Sequence, residues 1–371
     1  GHDFEDNAYN GNKEILRQPQ YVPNALNGRP ILRFNTANES KKDVLTSSDT
    51  DVLDVVEGDN TFFLVSAARE SLTGSNNFWH LYRFTNPNQT ESMGYPGKSA
   101  GKISVDKGGD PVLDLPSPIT DYHIFSSVSD NTTDTQEDLA VDGTVRKTAG
   151  SSTTTASGRI EIGKKGTLAK ENFAEFIIFK KDLNTAQRRL VANYLSEKYA
   201  LPLAGHDYYR FGQNFSYEIV GIGRAASPAG ASPGGEHTVA SSSVLTLKEN
   251  TSGHALSDGE FVMAGHNGRP AQFSTGERPN GRSTVQKTQR EWRAEVTGPA
   301  SKTIDVEVDY GRLPSLPSGY NDRALYVVDD GDFSKDATYY DLDKISGSTY
   351  GAEGVEISDG DYVAVAAVKR T

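Results

Sequence analysis

The sequence contains no cysteine. That absence removes disulfides, thiolate zinc sites, iron–sulfur clusters and cysteine nucleophiles together. It does not fix the compartment, because cysteine-free exported proteins are common. No apolar run approaches the ~20 residues that cross a bilayer, and no secretory leader pattern is present. The chain opens Gly1-His2-Asp3 without a Met, which reads as a fragment of a longer protein. Basic residues are also in deficit, with 38 Lys and Arg against 50 Asp and Glu, a formal charge of −12. A net negative field repels phosphate backbones, so nucleic acid is not expected, and the lack of a long apolar run argues against membrane insertion. The H-E-x-x-H and G-x-S-x-G patterns are missing. Gly221-Ile222-Gly223 lacks the third glycine and the βαβ setting of a nucleotide site.

What is present points to strands. The 371 residues are enough for two domains. Turn-forming Gly, Asn, Ser, Thr and Asp are abundant, and Tyr, Phe and β-branched residues cluster in short runs. The first ~25 residues are polar and turn-rich. Strands are expected at 30–34, 61–65, 122–128 and 173–179, with 132–138 a polar loop. Asp142-Gly143 marks a hairpin between 139–141 and 144–145. Residues 149–158 (AGSSTTTASG) and 225–235 (AASPAGASPGG) read as mobile loops. One helix is expected over 185–198, with Asn184 and Gln187 in capping-box spacing. Ala186, Leu190, Val191, Tyr194 and Leu195 form its apolar stripe, and Pro202 ends it. From about Tyr208 a second β-rich stretch begins. Within it Trp292, Ala294 and Val296 share one strand face, as do Ile304, Val306 and Val308. The fold class is therefore all-β: two antiparallel sandwiches and one short helix near their boundary.

Two segments carry a family resemblance. Residues 27–34 (NGRPILRF), 60–65 (NTFFLV), 173–179 (FAEFIIF), Leu183 and 188–201 resemble concanavalin A-like, laminin-G-like jelly rolls of bacterial secreted proteins. The ending Tyr194-Leu195-Ser196-Glu197-Lys198-Tyr199-Ala200-Leu201 follows that group's helix closely. Residues 6–12 (DNAYNGN) look like the tail of its opening motif, with the preceding strand missing or supplied from elsewhere. Residues 217–224, 258–267, 290–293 and 329–333 look like an uncharacterised β-sandwich module that trails such domains in bacterial exoproteins and adhesins. The resemblance implies a jelly roll over 1–203, a second sandwich over 204–371, and a secreted or cell-surface setting. Hydrolases on this jelly roll carry an E-x-D-x-x-E strand, whereas Glu161 and Glu175 stand alone in theirs.

Four clusters are candidates for chemistry. Asp329, Asp330 and Asp332 crowd one turn, with Asp336, Asp341 and Asp343 nearby, and clustered carboxylates suit Ca²⁺. The plainer reading is a solvated acidic turn with Gly331 at positive φ. Asp49, Asp51, Asp54 and Asp59 form a second acidic group, either a Ca²⁺ site or loop polarity. Trp79, Tyr82 and Tyr95, with His80 and Phe84 and with Asn76 and Asn77 beside them, make a candidate sugar-stacking platform, against an ordinary aromatic strand facing alternate sides. His266 and Asn267 with Arg224, Trp292 and Arg293 offer a polar site, against a turn and a core tryptophan. The function expected is a non-enzymatic binding or adhesion module, taking a glycan or cell-surface polysaccharide, with Ca²⁺ assisting and neighbouring domains of a longer chain as partners. The rivals are a structural spacer, and a polysaccharide lyase or hydrolase, which needs acid–base partners converging in one cleft.

Overall fold

A computed structural model describes residues 4–6, 19–35, 43, 45–47, 60–69, 78–84, 92–96, 102–106, 112–114, 119–129, 136–149, 160–163, 170–179, 181–225, 236–239, 244–250, 252 and 254–370. The loops expected at 149–158 and 225–235 lie almost wholly outside these residues. The chain forms two compact units. One comprises residues 1–183 with 201–205, the other 184–200 with 206–371.

The first unit is an antiparallel sandwich. Its strands are β1 (Phe4–Asp6), β2 (Gln20–Leu26), β3 (Arg29–Asn35), β4 (Leu45–Ser47), β5 (Asn60–Ala68), β6 (Phe78–Phe84) and β7 (Ser92–Pro96). They continue with β8 (Lys102–Asp106), β9 (Val112–Asp114), β10 (His123–Ser129), β11 (Gln136–Val141), β12 (Thr144–Ala149), β13 (Ile160–Ile162) and β14 (Lys170–Phe179). One sheet runs β1-β4-β13-β6-β7-β8-β9 and the other β12-β11-β10-β5-β14-β3-β2. Phe34, Phe62, Leu64, Phe125 and Phe173 of the second sheet meet Leu81, Ile160 and Ile162 of the first in one core. β5 is central and buried along residues 61–68, which explains its unbroken apolar run.

Two Asx-Gly turns set register. Asp142 and Gly143 have φ of 48° and 77°, joining β11 to β12 as expected. Asn27 and Gly28, at 46° and 71°, join β2 to β3 in the same way. β2 lies inside the stretch expected to be polar and turn-rich. It is an exposed edge strand, so neither face imposes an apolar alternation. β11 likewise starts at Gln136, inside the stretch expected to be loop.

The second unit is a sandwich with a covered outer face. Its strands are β15 (Tyr217–Ala225), β16 (Glu236–Val239), β17 (Leu245–Glu249), β18 (Phe261–His266), β19 (Phe273–Ser274) and β20 (Val285–Thr297). Then come β21 (Ser301–Asp309), β22 (Asp322–Val328), β23 (Thr338–Asp341), β24 (Asp343–Ser346), β25 (Thr349–Ser358) and β26 (Tyr362–Val368). The larger sheet runs β16-β15-β18-β20-β26-β22-β23, with β19 on β20; the smaller runs β17-β21-β25-β24. Between them Trp292, Ala294 and Val296 pack with Ile304, Val306 and Val308, the two faces expected from alternation.

The larger sheet is buried on its other face too. Helix α1 (Thr185–Tyr199) and the segment after it place Ala186, Leu190, Tyr208, Tyr209 and Phe215 on Phe261 and Met263. Nearby, Phe333 and Ala337 cover Tyr326, Ala364 and Ala366. Burial on both faces is why β18, β22 and β26 read as continuous apolar runs. Burying Leu190 and Leu195 contributes about 1.5–3 kcal/mol each.

The helix starts at a complete capping box. Asn184 Oδ1 accepts from Gln187 N–H at 2.8 Å, and Asn184 N–H donates to Gln187 Oε1 at 3.1 Å. Ala200, at φ 52°, closes it two residues before Pro202. Although α1 precedes residue 204 in the chain, it packs within the second unit. Asn193 pins residues 206–208 against the helix. Its Oδ1 accepts from Tyr208 N–H at 2.6 Å, and its Nδ2 donates to the Arg189 and His206 carbonyls at 2.8 Å. Gly221 lets the helix approach: a Cβ there would lie 2.6 Å from Leu190 Cδ2.

Candidate functional site

The mouth of the first sandwich holds a cavity of about 290 Å³. It forms where β14 bends. β3 pairs with β14 over 170–173, a β-bulge follows at Ala174, and β14 then continues along β5 to Phe179. A bulge turns its strand and opens the local ladder. Ile31 and Phe34 of β3, Phe176 of β14, Leu45 of β4 and Ile162 of β13 wall the space from both sheets. Tyr21 of β2 and Glu175 of β14 join the lining. Tyr21, on the edge strand β2, is 63 % exposed, the most exposed large hydrophobic side chain among the described residues. No motif in the sequence marks it. The available signal is indirect: the Asn27-Gly28 turn before the 30–34 strand demands a partner strand ending near 26.

The aromatic set lies in the same unit. Trp79 and Tyr82 are on β6, and Tyr95 is on β7. The register sets Trp79 opposite Tyr95 and Tyr82 opposite Met93, with a bulge between His80 and Tyr82. On its other edge β6 sets Tyr82 opposite Ile162. Asn76 and Asn77 lie outside the described residues, as do Asp49, Asp51, Asp54 and Asp59.

The turn at 329–332 uses its carboxylates locally. Gly331 takes φ 81°. Asp330 Oδ1 accepts from Asp332 N–H at 2.8 Å, and Asp332 Oδ1 accepts from Ser334 N–H at 3.0 Å and Ser334 Oγ–H at 2.5 Å. Those Ser334 bonds hold the Asp332 carboxyl below the usual carboxylate range. The loop is anchored beside them: Phe333 N–H donates to Glu277 Oε1 at 2.8 Å, and the Asn280 side chain brackets Ala337, donating to its carbonyl and accepting from its N–H. Among the described residues no group of three or more His, Asp or Glu side chains gathers as metal ligands.

His266 is the last residue of β18 and Asn267 begins the turn after it. The imidazole is buried, stacked on Tyr217 at 5.7 Å and edge-on to core Trp292 at 5.8 Å. Burial, then the nearby Arg290 guanidinium, push it down to about 4, so it is neutral at pH 7. Arg293 lies instead between the Phe211 and Tyr362 rings, and Arg224 bonds Asp258 at 2.9 Å. These residues are divided among packing and ion pairs. Glu161 and Glu175 belong to different sheets.

A family model described as a domain of unknown function, DUF8202, matches residues 187–361. The match begins inside α1, in keeping with a helix that packs on the second sandwich. No curated protein matches the sequence. Among solved structures, the chain is similar to the binding domain of Botulinum neurotoxin DC in complex with rat synaptotagmin II. Identity is 8 %, coverage 95 % of this chain and 89 % of that one, and the TM-score 0.39. The binding domain of Botulinum neurotoxin serotype D gives 10 %, 91 % and 86 %, and 0.39. Trypanosoma rangeli sialidase in complex with sialic acid gives 15 %, 49 % and 29 %, and 0.37. No helix among the described residues is long and apolar enough to cross a membrane.

Proposed function

We propose that the chain is a non-catalytic binding or adhesion module of a bacterial secreted or cell-surface protein. Its first unit would be of the concanavalin A-like, laminin-G-like kind, and its ligand a glycan held at the mouth of that sandwich. One observation carries the reading: an exposed tyrosine lines a cavity built by both sheets. An aromatic face stacks on the apolar face of a sugar. The test is a pull-down on insoluble polysaccharides and a glycan array, each with and without Ca²⁺. Tyr21→Ala is expected to weaken retention at least tenfold. Retention kept by Tyr21→Ala but lost with Asn76→Ala and Asn77→Ala would move the site to the aromatic strand β6. No retention by the unaltered chain under either condition would leave a structural spacer.

A further inference from the structure

The cavity is larger and more apolar than stacking of a sugar requires. Its walls are branched aliphatic and phenyl side chains drawn from β3, β4, β13 and β14. Protein interiors leave few voids larger than a water molecule, because an apolar wall with nothing against it forfeits its dispersion contacts. Water gains little there, since it needs two to four polar partners and most of the lining side chains are apolar. A dry apolar cavity of about 150 Å³ already takes benzene. This one, at about 290 Å³, has room for a larger aryl or short alkyl group.

We propose that the cavity is a subsite for an apolar substituent, an aryl or short alkyl group carried on the glycan, with the sugar itself outside against Tyr21. The subsite rests on the ligand entering at this mouth, as proposed above. The exposed ring and the apolar walls are then divided as the ligand is: the sugar stacks on Tyr21, and the substituent replaces missing side-chain contacts within.

The probe is N-phenyl-1-naphthylamine, an apolar aryl compound with no sugar, titrated into the whole chain and followed by its fluorescence. Methyl NMR on the same sample locates it. The expected result is saturable binding at one site, with shifts at the Ile31, Leu45 and Ile162 methyls. Leu45→Trp, which fills the space, is expected to weaken that binding at least tenfold. Absence of saturable binding, shifts confined to other methyls, or undiminished binding in a folded Leu45→Trp variant would each overturn the subsite. If Leu45→Trp does not fold, the methyl map of the unaltered chain decides alone. Polysaccharide retention without probe binding would sink the subsite and leave the glycan reading standing; loss of both would sink both.

Discussion

Glu171 is fully buried on β14, opposite Phe34 on one side and Ala68 on the other, both core residues. Neither carboxyl oxygen has a hydrogen-bond partner among the described residues. Burial alone pushes the group from 4.5 up to about 8. The folded chain therefore holds this proton more tightly than the unfolded chain does. Stability from the bound proton is complete below pH 4.5, erodes as pH rises, and is lost once pH passes about 8. At about 1.4 kcal/mol per unit, the loss is about 3 kcal/mol by pH 7 and approaches about 5 kcal/mol above pH 9. Glu171→Gln keeps the shape and removes the titration. The difference in unfolding free energy between variant and parent is expected to change by about 3 kcal/mol between pH 5 and pH 8. With a urea slope near 2 kcal/mol per molar, that is a relative midpoint shift of about 1.5 M. The assay is urea unfolding across that pH range, with the first unit's transition assigned by hydrogen exchange over β5 and β14. A difference that stays flat within about 0.5 kcal/mol would refute the reasoning, because it would mean that the carboxyl is solvated or paired.

Two further substitutions probe how α1 joins the second unit. Asn193→Ala removes the acceptor of the buried Tyr208 N–H and the donor to the His206 carbonyl, and is expected to cost about 2–4 kcal/mol in urea unfolding. Asn193→Asp should not rescue it, because a carboxylate cannot donate to the Arg189 and His206 carbonyls. A loss under about 0.5 kcal/mol in either would mean that the segment is held by packing alone. Gly221→Ala drives a Cβ into Leu190 and is expected to cost about 1–3 kcal/mol. Combined with Leu190→Ala the costs should be less than additive, and strict additivity would show that the two groups do not touch.

Where a strand or helix buries a face, its residue pattern announces it. The alternation at 291–296 and 303–308 reports a strand pair with a shared core. The Asn184–Gln187 spacing reports a helix start because the cap needs those two side chains three residues apart. Residues that face solvent on both sides carry no such mark, and β2 resembles a run of turns for that reason. The helix stripe announces burial without naming the partner. Gly221, which makes room for Leu190, sits thirty-one residues downstream, and nothing local links the two. Glu171 is silent for a different reason: an acidic residue in a strand reads as solvent-facing until its register places it opposite Phe34.

The candidate site is the least legible part, and its geometry explains why. Its walls come from four strands between residues 31 and 176, and every one of those side chains reads as ordinary core. The bulge at Ala174, one extra residue in β14 against β5, falls where β14 parts from β3 beside the cavity. Composition does not encode that parting, because Ala-Glu after Phe173 is equally at home in a regular strand. If the bulge opens the cavity, a change that restores regular pairing should close it. Deleting Ala174 removes the extra residue, so β14 pairs without a break while Glu175 stays opposite Val65 and Phe176 opposite Leu64. Closure of the opening then predicts loss of both probe binding and the Tyr21-dependent retention, in a chain whose second unit unfolds unchanged. Survival of either in that variant would show that the opening has another cause.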